Sequence, residues 1–191
     1  MSASLVAVLA ALALGEPGGP PPPSSTALRR AAEAGGHAWV RVLGTGSAPG
    51  VLVGAEGQVL TLDPLVHGTA ALVELGEARR TAHVLERMPA LGLVLLAIDG
   101  DGPFPAPTAR LQPVESGEWV VGMGDDGRSP RLGRVTGGAG GAWFEVSLQL
   151  PPGSPVLDAQ ARLVGVVTAR RSASSRVAAL SSVLAQLGRS P

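Results

Sequence analysis

The chain of 191 residues contains no cysteine, and all fifteen of its basic residues are arginine. Without cysteine there is no thiol catalysis, no thiolate zinc site, no disulfide and no lipidated cysteine anchor. Without lysine there is no Walker-type phosphate loop, no Schiff base and no Ser-Lys catalytic pair. Asparagine is absent too, a bias that a GC-rich coding sequence accounts for. Aromatic residues make up only 3% of the chain, so its core must be built from Val, Leu and Ala. Formal net charge is zero, and nothing in the charge balance favours nucleic acid as a partner. His37, His67 and His83 are too scattered for a zinc motif, and no cofactor or metal is expected.

Hydrophobic residues at 45% against 16% charged fit a folded core, and 27 Gly with 17 Pro fit many short strands joined by turns. Residues 1–15, with an apolar run from Leu5 to Leu14, read as a signal peptide cleaved after Ala13 or Gly15. The run is too short to span a bilayer, which takes about 20 apolar residues, so no stable membrane span is expected after cleavage. Its n-region lacks a basic side chain, so an uncleaved apolar helix is the competing reading. Residues 16–37 read as a Pro/Gly-rich linker, Pro17–Ser25 being extended and unpacked, followed by a short helix over Thr26–Ala34 that ends at Gly35-Gly36. From Trp39 onward, β-rich runs recur between turn signals: Ala38–Leu43, Val51–Val53, Gln58–Leu62, Ala70–Leu75, Arg80–Glu86 and Leu93–Ile98. After the Pro-rich Gly102–Pro107 come Glu118–Met123, Arg131–Thr136, Ala142–Leu148, Leu163–Ala169 and Arg176–Leu180. This spacing predicts an all-β sandwich or barrel in two sets of strands, 38–108 and 109–190. A Ser-capped helix is predicted over Ser181–Leu187.

Four segments carry a resemblance. Gly50–Gly68 ends a strand-turn-strand stretch in Leu60-Thr61, Gly92–Ile98 reads GLVLLAI, Gly117–Asp125 reads GEWVVGMGD, and Leu150–Val167 contains PPGSPVLD followed by LVGVV. In order and spacing these resemble the active-site segments of trypsin-like serine proteases of the HtrA/Do type, in the PA clan. The resemblance implies a double β-barrel with a short C-terminal helix. The signal-peptide reading of residues 1–15 implies a periplasmic or secreted location. The family's histidine would fall at Pro64, its aspartate at Gly92 and its serine at Pro152.

The chemistry of those three substitutions is plain. Proline 64 cannot accept or return a proton, and glycine 92 cannot orient an imidazole. Proline 152 has neither a hydroxyl nor a backbone N–H, so the nucleophile and one oxyanion donor go together. The expectation is a catalytically inactive homologue, a pseudoenzyme that binds an extended peptide or protein ligand through a strand added to the second barrel's edge. The sequence does not fix its oligomeric state. Two rival readings stand beside it: a serine endopeptidase with a displaced site formed by His67, Asp63 and Ser154, and a structural domain of an envelope assembly.

Weaker motifs have simpler readings. Gly122–Gly127 spells G-x-G-x-x-G, but Pro130 and Gly133 forbid the helix that a dinucleotide site needs, so a β-turn is expected. Asp99-Gly-Asp101-Gly lacks the closing carboxylate of a calcium loop, with Arg110 at that offset, and reads as a turn. His83 is expected on a strand surface.

Overall fold

The computed structural model describes residues 20–188; the leader-like segment and the first part of the Pro-rich stretch lie outside them. Helix α1 (Ser25–Ala38) comes first. The first six strands are β1 (Trp39–Leu43), β2 (Ser47–Gly54), β3 (Gln58–Leu62), β4 (Ala70–Leu75), β5 (Ala78–Met88) and β6 (Leu93–Ile98). The second six are β7 (Trp119–Met123), β8 (Pro130–Gly137), β9 (Trp143–Val146), β10 (Pro155–Asp158), β11 (Leu163–Arg170) and β12 (Ser175–Ala179), followed by α2 (Leu180–Gln186). Among the described residues, no helix is long and apolar enough to cross a membrane.

Each set of strands closes into an antiparallel barrel, β1-β2-β3-β6-β5-β4 and β7-β8-β9-β12-β11-β10. The two orders are the same when counted from the first strand of each set. The strands therefore repeat in topology although the sequence shows no repeat. Closure matters for how a ligand could bind, because neither barrel has a whole edge strand to offer. Beyond Val167, however, β11 continues to Arg170 paired with β12, while the chain leading into β10 makes its outermost bonds to β11 at Val167. The strand-addition surface expected from the sequence thus shrinks to a short overhang.

Eleven of the twelve strands fall where the β-rich runs predict them. The twelfth, β10, has no counterpart among those runs. It is four residues long, begins with proline and is buried at every position, so it has no in-out alternation to read. Proline is tolerated at the first residue of a strand. β6 is similar in being buried at five of six positions. It lines the first barrel's core, and that cluster continues across the junction to Leu163, Val166, Ala178, Leu180 and Val183. Each fully buried leucine, such as Leu52, Leu60, Leu93 or Leu96, contributes about 2 kcal/mol of transfer free energy. A second cluster around Phe144, Val146, Leu150 and Val177 fills the other barrel. Between the barrels, Phe104 tucks its ring against Gly57 and stays buried, so the Pro-rich connection is anchored to the first barrel.

Three details correct the sequence reading. Helix α1 does not stop at Gly35-Gly36 but runs to Ala38, with Ser24 capping it through a hydrogen bond from the Ala27 N–H. Gly costs about 1 kcal/mol in a helix, yet here it is required by packing. Ala31, Gly35 and Ala38 form a buried stripe, and a Cβ added at Gly35 would lie 2.8 Å from Met123 Sδ and 3.1 Å from Leu157 Cδ1. At the other end, α2 starts one residue early, from Ala179, with no side-chain cap. The Pro-rich segment is also not free of packing: the Pro20 carbonyl accepts a hydrogen bond from Trp119 Nε1 at 3.0 Å.

Candidate active site

Pro64, Gly92 and Pro152 lie on three separate loops, after β3, before β6 and before β10. Pro64 sits exposed in a 3-10 turn, Asp63–Leu65, that follows β3. Gly92 ends the turn before β6 with φ +71, and its carbonyl accepts a hydrogen bond from the Asp63 N–H at 3.0 Å. A Cβ at Gly92 would meet nothing within 4 Å, so space is not what excludes a side chain there. The left-handed backbone is what disfavours it, by about 1–2 kcal/mol.

Pro152 occupies a tight turn. The Ser154 N–H donates to the Pro151 carbonyl at 3.2 Å, and Gly153 has φ +93. Proline second and a positive-φ glycine third are the requirements of a type II β-turn, so the sequence Pro151-Pro152-Gly153-Ser154 folds locally as its residues dictate. The turn packs directly on the first barrel. A Cβ at Gly153 would fall within the van der Waals shell of the Pro49 carbonyl, 2.9 Å from its carbon. That same carbonyl oxygen accepts the buried Thr61 hydroxyl at 2.9 Å. Thr61 in turn lies three residues before Pro64, so one path of contacts runs from Gly92 through the 3-10 turn and Pro49 to Gly153. No local pattern marks Pro49 for this bridging part.

Every backbone donor of this turn is absent or engaged. Leu150 N–H donates to Ser175 Oγ at 2.9 Å. Pro151 and Pro152 have no N–H. Gly153 N–H donates to the Val167 carbonyl at 2.7 Å, and Ser154 N–H to Pro151. An oxyanion hole needs preorganised N–H groups aimed at the developing charge. From Leu150 to Ser154 none is left to aim.

The displaced alternative is not assembled either. Asp63 is bound by Arg87, whose other nitrogen donates to the Val66 and Gly68 carbonyls at 2.8 and 2.7 Å. Arg87 therefore staples the whole loop and takes the carboxylate that would have to orient an imidazole. His67 is exposed and lines a groove of about 460 Å³ on the first barrel, with Leu43, Thr45 and Leu72 among its walls. Ser154 is fully buried and its hydroxyl has no partner. Three groups that must share one hydrogen-bonded line are thus split between an ion pair, a surface groove and the protein interior.

Among the described residues one carboxylate is buried, that of Asp158, and its role is structural. Asp158 Oδ1 accepts the Gln160 and Arg162 N–H groups at 2.9 Å each, and Oδ2 accepts Arg162 Nε at 2.8 Å. Arg110, on the inter-barrel connection, reaches Asp158 at 3.4 Å and is bonded more closely by Glu118. The hydrogen bond to Glu118 raises the Arg110 guanidinium further above its ordinary value, so it stays charged. A parallel bridge, Ala109 to Leu163, runs alongside. Sequence reading missed this network because its members are up to 48 residues apart. The G-x-G-x-x-G segment is a hairpin turn, as expected, in which Asp126 accepts from the Arg128 and Ser129 N–H groups. His83 is exposed and meets Asp99 at 3.1 Å.

Two closed six-stranded antiparallel barrels with a short C-terminal helix constitute the trypsin-like double β-barrel fold of the serine proteases. The chain is similar to the crystal structure of the Rv3671c protease in an inactive form, with a TM-score of 0.71 and 19% identity over 87% of this chain and 95% of that one. It is equally similar to an inactive serine-to-alanine variant of Rv3671c from M. tuberculosis H37Rv, with a TM-score of 0.72 and 18% identity over 87% and 93% of the two chains. At such identities the likeness is one of fold. No protein-family profile and no curated protein matches the chain in sequence.

Proposed function

We propose that this chain is a non-catalytic trypsin-like double barrel, exported and tethered by its Pro-rich segment, that binds an extended peptide or protein segment. The observation that carries this reading is the donor accounting across Leu150–Ser154, where the two prolines remove two N–H groups and the fold consumes the rest. Losing a single oxyanion donor costs about 2.7–4 kcal/mol of transition-state stabilisation, and here the nucleophile and base are missing as well. Support for a peptide ligand comes from the β11 overhang at residues 168–170, where main-chain groups on one side have no strand partner. Support for export comes from the Leu5–Leu14 run and the small residues after it.

Activity-based labelling with a fluorophosphonate tests the first part. The expected result is no labelling of the native chain at high protein concentration. Labelling that disappears in Ser154→Ala would overturn the proposal in favour of a displaced hydrolase. A peptide array probed with the intact chain tests the second part: extended segments should bind, and substituting Ala169→Pro should weaken them. Sequencing of the mature N-terminus after bacterial expression tests export, with Leu14 or Glu16 expected as the first residue and Met1 as the refuting result.

A further inference from the structure

The contact between Pro20 and Trp119 involves none of Pro64, Gly92 and Pro152 and has its own chemistry. Trp119 opens β7 and is half-buried, with its indole N–H donating to the Pro20 carbonyl across 99 residues of sequence. Directly opposite on β8, Arg134 lays its guanidinium over the ring, 4.1 Å from the centroid. Gly117, with φ +80, leaves the floor bare, and a Cβ there would touch Pro20 Cδ at 3.8 Å. The surface is therefore a flat aromatic wall, an outward N–H donor and a glycine floor.

Its occupant is built to match. Pro20–Pro23 are four consecutive prolines, which fix φ near −65° and favour polyproline II, and Ser24 continues that conformation with φ −62 and ψ 156. Polyproline II has no internal hydrogen bonds, so every carbonyl remains an acceptor. Rigid prolines also lose little entropy on docking. The segment then passes without a break into α1, whose Gly35 packs on Met123 of β7 and Leu157 of β10. Linker and helix together form one strap over the second barrel before the chain enters the first.

We propose that Gly117, Trp119 and Arg134 form a recognition site for proline-rich polyproline II segments, occupied in cis by Pro20–Pro23. The linker is then a latch as well as a tether. Docking of residues 20–24 removes roughly 15 Å of polyproline reach from the tether. A proline-rich segment from another chain competes for the same site, but against a cis occupant whose effective concentration is on the order of millimolar.

The test follows the indole N–H signal of Trp119 by NMR in the full 15N-labelled chain, assigned with Trp119→Phe. In the native chain, Trp119 Hε1 should show cross-relaxation to Pro20 and should not respond to a micromolar peptide Pro-Pro-Pro-Pro-Ser-Ser. Replacing Pro20–Pro23 by Gly-Ser-Gly-Ser should shift this signal and speed its exchange with water at least tenfold, leaving the Trp39 and Trp143 indole signals in place. Adding the proline peptide to that variant should restore the shifted signal saturably, whereas Gly-Ser-Gly-Ser-Ser-Ser should not. Absence of the Pro20 cross-relaxation in the native chain overturns the proposal without any variant. So does an indole signal that is the same in both chains, or one that ignores the proline peptide.

Discussion

Replacing Gly153 by alanine probes the turn that seats Pro151–Ser154 on the first barrel. Two costs add at this position. The first is conformational, because φ +93 is a backbone that a Cβ makes unfavourable, by about 1–2 kcal/mol. The second is steric, since the added methyl would press on the Pro49 carbonyl, which is backbone and also holds Thr61. Neither partner can swing away as a flexible side chain would. Overpacking of this kind costs typically 1–3 kcal/mol, so the sum is about 2–5 kcal/mol. Gly92→Ala supplies the control, having a similar φ of +71 but open space around its Cβ, and should cost only the conformational part. Urea unfolding at neutral pH, with equal m-values for all three chains, gives the difference from the midpoints. If Gly153→Ala proves no more damaging than Gly92→Ala, the close packing of this turn on the first barrel is refuted, and with it the donor accounting that depends on the turn's shape.

Three further outcomes follow from the same structure. Asp158→Asn should lower stability by about 3 kcal/mol, because it leaves Arg110 and Arg162 facing a neutral group at a fully buried site; urea titration reads the loss. Thr61→Val keeps the shape but leaves the Pro49 carbonyl without its hydroxyl donor, and should cost about 1–2 kcal/mol in the same assay. The Asp126 carboxyl is held below its ordinary value, chiefly by the Arg128 N–H and also by Ser129. Its folded pKa is thus depressed, so its contribution is complete above about pH 5 and fades as pH falls through the folded value. The stability gap between the native chain and Asp126→Ala should therefore be constant near neutrality and close in acid. A gap that instead opens in acid would contradict the sign.

What could be read without coordinates was whatever lies in short-range pattern. Apolar runs bounded by turn residues located β3, β4 and β6 to the residue, and proline content marked the Gly102–Pro107 connection between two strand sets. The helix end at Ala38 could not be read, because Gly35 looks like a stop unless Met123 is known to sit against it. β10 escaped for the opposite reason: complete burial erases the alternation by which strands are recognised. At the candidate site, His67, Asp63 and Ser154 are close in residue type to a triad. Only the fold shows that Arg87 has taken the carboxylate and that Ser154 faces inward.

The sequence by itself determined which chemistry is impossible. A proline lacks an N–H and a glycine lacks a side chain wherever they are placed, and no lysine or cysteine exists to substitute for them. Tertiary structure decided what those residues do instead. It turned Pro151–Ser154 into a β-turn seated on Pro49, tied Arg110 to Asp158 across 48 positions, and laid Pro20 on Trp119 across 99. Partners so far apart leave no trace in local periodicity, because packing between elements rather than chain proximity brings them together.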